Sequence, residues 1–177
     1  MRGYERRAGI PHCYNRRMDL EAAARDFAVE RHGAQRYGDH PYVVHLAAVR
    51  AVLRDFALAG DLGVAAWLHD SVEDTATTRD EIEQRFGPAV AALVWAVTGT
   101  GENRKARNQS AYDKIRQHPA AATLKLADRI ANVEASATAP AKLEMYRREW
   151  PGFAAALAGL GDERLWQRLR RALGVAA

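Results

Sequence analysis

The chain has 177 residues, 48% of them hydrophobic and 27% charged, which fits one globular domain and leaves no room for a second catalytic module of ordinary size. A net charge of +4 and a pI near 9.5 invite a nucleic-acid reading, yet basic and acidic residues alternate along the chain. The pairs Arg6-Arg7, Arg16-Arg17, Arg147-Arg148 and Arg170-Arg171 therefore read as solvated faces, and no nucleic-acid-binding motif accompanies them. The single cysteine, Cys13, excludes an internal disulfide and a cysteine-based zinc knuckle, so a metal would have to be held by histidines and carboxylates. Residues 1–18 are Arg-rich but lack the apolar core of a secretory signal, and no stretch is apolar enough to span a membrane. A reducing cytoplasm is the expected compartment.

Helical patterning runs almost the whole length, with hardly any period-2 stretch, and predicts an all-α bundle of about eight to ten helices. Asp19 is placed to cap a helix through Ala22-Ala23-Ala24 and Phe27 to about His32. Gly33, Gly38 and Pro41 mark a loop. A second helix from about Tyr42 carries Val49, Val52 and Phe56 on its apolar face. A third, Leu62 to Ser71, is apolar on nearly every side, which makes the polar residues at its end expensive to bury and hence informative. Thr78 with Glu81 forms a capping box for a short helix before Gly87, and Pro88 suits the first turn of the next, to Val97. Thr98–Asn103 reads as a flexible connection. Helices are then expected over Lys105–His118, Ala120–Ser136, Ala139–Glu149, Pro151–Leu160 and Asp162–Leu173. Trp150, Phe153, Leu157, Leu165, Trp166 and Leu169 in the last two look like core closure.

The chemistry-bearing run is Leu68-His69-Asp70-Ser71-Val72-Glu73-Asp74-Thr75. Neighbours on a helix point about 100° apart, so His69 and Asp70 can approach one ion only across the helix face or its end. Alone, the pair also fits a histidine at a helix C-terminus beside a surface aspartate. Glu73 and Asp74 either stack over that pair or line a loop over the same pocket; next to a metal, such a carboxylate can accept a proton from water or donate one to a leaving group. His45 shares its face with Val49, Val52 and Phe56 and by itself fits a core histidine. Lys125, Asp128 and Asn132 form one polar stripe at i, i+3 and i+7, as a salt-bridged helix also would. Together these residues supply two imidazoles and two carboxylates, a donor set suited to Mn²⁺, Fe²⁺ or Zn²⁺ rather than Mg²⁺ or Ca²⁺.

The ordered set resembles the HD-domain phosphohydrolases, and more closely the hydrolase domain of the RelA/SpoT alarmone enzymes and their small stand-alone relatives. The matching pieces are His32-Gly33-Ala34-Gln35-Arg36, Pro41-Tyr42-Val43-Val44-His45, His69 to Thr75 with Thr78, Phe86-Gly87-Pro88-Ala89-Val90 leading to Val97-Thr98, and Lys125-Leu126-Ala127-Asp128-Arg129 with Asn132. They cover about residues 20 to 150. The resemblance implies an N-terminal extension over 1–18 and one HD hydrolase domain over 19–177. It implies one divalent ion, usually Mn²⁺, held by His45, His69, Asp70 and Asp128, with Glu73 and Asp74 activating water and handling protons. It further implies a nucleotide substrate, (p)ppGpp, losing its 3′-diphosphate as pyrophosphate to leave GDP or GTP. Arg36, Lys125, Asn132, Lys142 and Tyr146 match substrate contacts; Lys142 and Tyr146 also fit a surface lysine and a core tyrosine.

The family usually has His-Pro where this chain has His45-Leu46, and the loop from Arg36 to Pro41 is short, so guanine preference is a weaker expectation than metal binding. Relatives of this kind also process other phosphorylated nucleotides, such as NADPH losing its 2′-phosphate. A nucleotide-sensing module without turnover is a further alternative, set against the presence of every ligand and both carboxylates. The oligomeric state is left open.

Overall fold

The computed structural model describes residues 12–176. Segment 1–11, with Glu5 and Arg6-Arg7, lies outside the described residues. The chain forms ten helices and a minimal hairpin there: α1 (His12–His32), β1 (Arg36–Tyr37), β2 (His40–Pro41), α2 (Val43–Asp55), α3 (Asp61–Leu68), α4 (Ser71–Asp74), α5 (Arg79–Phe86), α6 (Pro88–Val97), α7 (Arg104–Gln117), α8 (Ala121–Ala135), α9 (Pro140–Ala156) and α10 (Glu163–Leu173). The expected all-α class is observed. Among the described residues no helix is long and apolar enough to cross a membrane.

The apolar third helix lies at the centre of the bundle. Val64, Ala65, Ala66 and Leu68 of α3 are sealed between α1, α2 and α6, while α8 packs against α2, α6 and α10. Leu46, Leu53, Leu124, Leu126 and Ile130 are fully buried where α2 meets α8. That packing presents the C-terminal end of α3, the first turn of α2 and the middle of α8 to one place. Small residues on α3 allow the close approach: a Cβ on Gly63 would come 2.8 Å from Glu21 Oε2.

Local signals explain most of the boundaries. Thr78 caps α5, its side chain accepting from the Glu81 N–H at 3.2 Å, and Pro88 opens α6. Three expectations are corrected. Asp19 falls inside a helix rather than at its start, because α1 already runs from His12 and residues 12–18 contain no glycine or proline to stop it. The loop after α1 contains the hairpin, with Arg36 opposite Pro41 and Tyr37 opposite His40 across the Gly38-Asp39 turn. Gly38 has φ +57°, a conformation most side chains resist. The two helices expected on either side of Pro151 form one helix, α9. Proline there removes one backbone hydrogen bond, but Tyr146 before it and Phe153 after it are both buried on the same side of the helix and hold the two halves in line.

Candidate active site

The helix carrying the His-Asp pair stops where the chemistry begins. Helix α3 ends at Leu68; His69 still has helical angles, while Asp70 (φ −97°, ψ −5°) starts the single turn of α4. This break turns two adjacent side chains toward one point. His69 Nε2 lies 3.0 Å from Asp70 Oδ2 and 3.8 Å from Asp128 Oδ1 of α8. His45 Nε2, from the first turn of α2, lies 3.4 Å and 3.5 Å from the same two oxygens. Donor atoms bound to one ion at about 2.1 Å stand about 3 Å apart, so this spacing fits a mononuclear site. The His45, His69 and Asp70 donor atoms all fall within 4.8 Å of one another.

The surrounding bonds fix the ligand atoms. His69 Nδ1 donates to the Ala66 carbonyl at 2.9 Å, so that once the ring is neutral Nε2 is the lone-pair nitrogen. That Nε2 is buried without a hydrogen-bond partner and faces the two carboxylates, as a metal ligand would. Asp70 Oδ2 accepts from the Tyr42 hydroxyl at 2.7 Å. Asp128 accepts from Lys125 Nζ (2.9 Å) and Asn132 Nδ2 (2.6 Å), and Asn132 Oδ1 accepts from the Tyr37 hydroxyl (2.9 Å). Burial disfavours charge on all four groups, but their mutual attraction wins. His45 and His69 are pushed up by Asp70 and Asp128, His69 to about 10. Asp70 is held well below the usual carboxylate range by His69 and His45, and Asp128 by Lys125 with the same histidines. A divalent cation can replace the protons of this buried cluster, and the mixed N/O donors suit a transition ion.

Beside the cluster opens a cleft lined by Tyr37, Glu73, Arg104, Arg107, Arg129 and Tyr146, among others. Glu73 Oε2 accepts from the Gly99 N–H at 2.6 Å, and Arg107 Nε lies 3.4 Å from its other oxygen. Burial pushes the Glu73 carboxyl up despite the Gly99 bond. Gly99 is required for this approach: a Cβ there would meet Arg107 Cβ at 2.8 Å and Glu73 Oε2 at 3.1 Å.

The residues singled out in the sequence separate into three groups. His45, His69, Asp70 and Asp128 converge, and Glu73, Lys125, Asn132 and Tyr146 line the same cleft. Lys125 and Asn132 are engaged in holding Asp128. Asp74, Arg36 and Lys142 are outside the lining. Asp74 Oδ2 accepts from Gln35 Nε2 at 2.9 Å, Arg36 donates to the Asp39 carbonyl, and Lys142 Nζ sits 4.8 Å over the Tyr37 ring. Sequence reasoning missed Arg104, Arg107 and Asn108. Their spacing at i, i+3 and i+4 on α7, just after a Gly-Thr-Gly loop, puts them on one face and was a usable signal.

An all-α bundle that brings two histidines and two aspartates together beside a cationic cleft has the architecture of an HD domain. The HD-domain family model matches residues 24–159, and the chain belongs to that family. It is 39% identical over 117 residues to the guanosine-3′,5′-bis(diphosphate) 3′-pyrophosphohydrolase of Aquifex aeolicus, covering 63% of this chain and 17% of that protein. It is 40% identical over 121 residues to the pyrophosphohydrolase MESH1 of mouse and equally to that of human, covering 64% of this chain and 66% of theirs. The matched part is thus a small fraction of the first relative and just under two thirds of the others. A solved metazoan ortholog of SpoT, described as hydrolysing ppGpp, superposes with a TM-score of 0.76 at 24% identity over 94% of this chain and 97% of that one. A Listeria monocytogenes EGD-e structure gives 0.58 at 22% identity over 73% and 99%. These likenesses establish the fold.

Proposed function

We propose that this protein is a metal-dependent hydrolase of guanosine 3′,5′-bis(diphosphate), releasing pyrophosphate from the 3′ position to leave GDP, or GTP from the pentaphosphate. The observation that carries the reading is one buried His45–His69–Asp70–Asp128 cluster opening onto a cation-lined cleft with Glu73 at its edge. Identities near 40% to relatives named for this reaction support it.

His45, His69, Asp70 and Asp128 would hold a divalent ion, Mn²⁺ in our reading, which would supply Lewis acidity toward the phosphoryl group and make water easier to deprotonate. Glu73 accepts the proton of the attacking water; burial raises its carboxyl above the ordinary value, which strengthens it as a base. The P–O3′ bond breaks, pyrophosphate leaves, and the proton on Glu73 is available to the 3′-oxygen. Arg104, Arg107 and Arg129 offset charge on the departing pyrophosphate. Tyr37 and Tyr146 line the part of the cleft assigned to the nucleoside. Asp74, whose Oδ2 accepts from Gln35, takes the supporting role in proton handling.

The test is turnover of ppGpp by the purified protein with Mn²⁺ against a chelated control, with products separated. GDP plus pyrophosphate, only with metal, supports the proposal. No turnover of ppGpp overturns it, and release of orthophosphate from NADPH in the same assay assigns the site to a 2′-phosphatase instead.

A further inference from the structure

Glu73 is held from behind through a single peptide group. Helix α6 ends at Val97, and Thr98 (φ −63°, ψ 122°) turns out of it. The Thr98 hydroxyl and N–H both donate to the Val94 carbonyl, at 2.8 and 3.1 Å, so the helix end is closed by its own groups. The Thr98 carbonyl accepts instead from Lys114 Nζ of α7. At the other end of that same peptide group, the Gly99 N–H donates to Glu73 Oε2 at 2.6 Å. A trans peptide group is planar, its C=O and N–H pointing opposite ways, so a partner that fixes the carbonyl also fixes where the N–H points.

Lys114 is half-buried and forms no ion pair among the described residues; those of α7 belong to Arg104, Arg107, Asp113 and Arg116. Its ammonium has the Thr98 carbonyl as acceptor and sits 4.1 Å over the Trp95 ring of α6. Burial pushes it below the ordinary lysine value, and Glu73 is the charge that offsets this. A cation partly stripped of water for one carbonyl and one ring is costly as a stabilising device. It stands behind the cleft wall, whose lining here is Val97 and Gly99, and so acts on the cleft only through the loop. Two neighbours on α7 share the task, since Arg107, Ser110 and Lys114 fall at i, i+3 and i+7. Arg107 Nε lies 3.4 Å from Glu73 Oε1, and Ser110 Oγ lies 2.6 Å from Thr100 Oγ1.

We propose that Lys114 is a positioning residue for Glu73, holding the Thr98–Gly99 peptide so that its N–H stays aimed at the carboxylate; this rests on Glu73 being the base of the proposed hydrolysis. Lys114 acts in two ways. It fixes the plane of the peptide, and its charge polarises the amide and makes the Gly99 N–H a stronger donor. Glu73 otherwise faces Arg107 of α7, Lys125 of α8 and the like charges of Asp70 and Asp74. Without Lys114 the carboxylate keeps these neighbours but loses its fixed donor, and turns onto Arg107 as an ordinary ion pair.

The deciding experiment pairs a spectrum with a rate. In the ¹H–¹⁵N spectrum of the full chain in EDTA, the Gly99 amide proton is expected well downfield of ordinary glycine amides, as a charge-assisted bond to a carboxylate requires. Lys114→Met should move it upfield, and Lys114→Arg, which keeps a cation, should restore it. With Mn²⁺ and ppGpp, Lys114→Met should lower kcat about tenfold or more while KM stays within about twofold, and Lys114→Arg should recover most of the rate. A Gly99 amide at an ordinary position in the wild type, a measurement that needs no variant to fold, overturns the proposal. So does a Gly99 resonance or a kcat unmoved in Lys114→Met, or a loss that falls on KM. Failure of the wild type to turn over ppGpp strikes the proposed function instead, and the amide resonance still decides whether Lys114 sets the Gly99 bond to Glu73.

Discussion

Glu73 and Asp74 are adjacent in sequence but unequal in place, and that inequality is testable one residue at a time. Glu73 faces the cleft with its carboxylate held by Gly99 and Arg107, whereas Asp74 is turned toward Gln35. Glu73→Gln is expected to lower kcat by about 10²- to 10⁴-fold, the usual worth of a positioned base, while metal content measured by atomic emission stays near one ion per chain. Asp74→Asn should cost less than about tenfold, because it removes a contact to Gln35 rather than a group at the reaction centre. The reverse order of effects would make Asp74 the proton carrier. His69→Ala has a different signature. It removes the Nε2 that faces Asp70 and Asp128, so bound metal and turnover should fall together while far-UV circular dichroism keeps its helical form. Full activity in that variant would remove the metal site from the mechanism.

At the scale of elements, the decisive features are where helices stop and where they fail to stop. The break between α3 and α4 brings His69 and Asp70 to one point; the sequence marked the pair, because an apolar helix running into a polar tetrad is costly unless the polar end has partners, but it carried the helix on to Ser71 and so missed the break. The polar stripe on α8 was equally readable from spacing, though it was the fold that turned Lys125 and Asn132 onto Asp128. The hairpin at Arg36–Pro41 was hidden because two-residue strands carry no periodicity, and the continuity of α9 because proline argues locally for a break that burial of Tyr146 and Phe153 overrides. The cationic face of α7 was passed over as part of a general scatter of arginines; only docking beside the loop at Gly99 distinguishes Arg104 and Arg107 from the rest. That loop yields an element-level expectation. Gly99→Ala forces a Cβ into Arg107 and against Glu73, so kcat should drop at least about tenfold while the melting temperature shifts by only a few degrees. Retained kcat would show that the loop relaxes without moving Glu73.

Over the whole molecule, the buried cluster ties stability to both pH and metal. Without metal, His45 and His69 have raised pKa values in the folded protein, His69 rising from 6.5 to about 10. A raised folded value means the unfolded chain gives up its proton first as pH climbs. The stabilisation from these charged imidazoles is therefore complete below about 6.5 and is lost progressively toward pH 10. Asp70 and Asp128 behave oppositely: their lowered values contribute stability above the ordinary carboxylate range that is lost as pH falls through it. Metal binding requires both imidazoles neutral, so at neutral pH the ion must displace protons, and its affinity should rise by up to about tenfold per pH unit for each proton released. The two trends diverge between pH 6.5 and pH 8.5: the metal-free protein weakens while the ion binds more tightly. The gap between melting temperatures with Mn²⁺ and with EDTA should accordingly widen across that interval, and in Glu73→Gln, where the four ligands remain, it should widen just as much. A gap that stays flat across that interval would mean that the imidazoles are already neutral in the metal-free protein and that the ion displaces no protons.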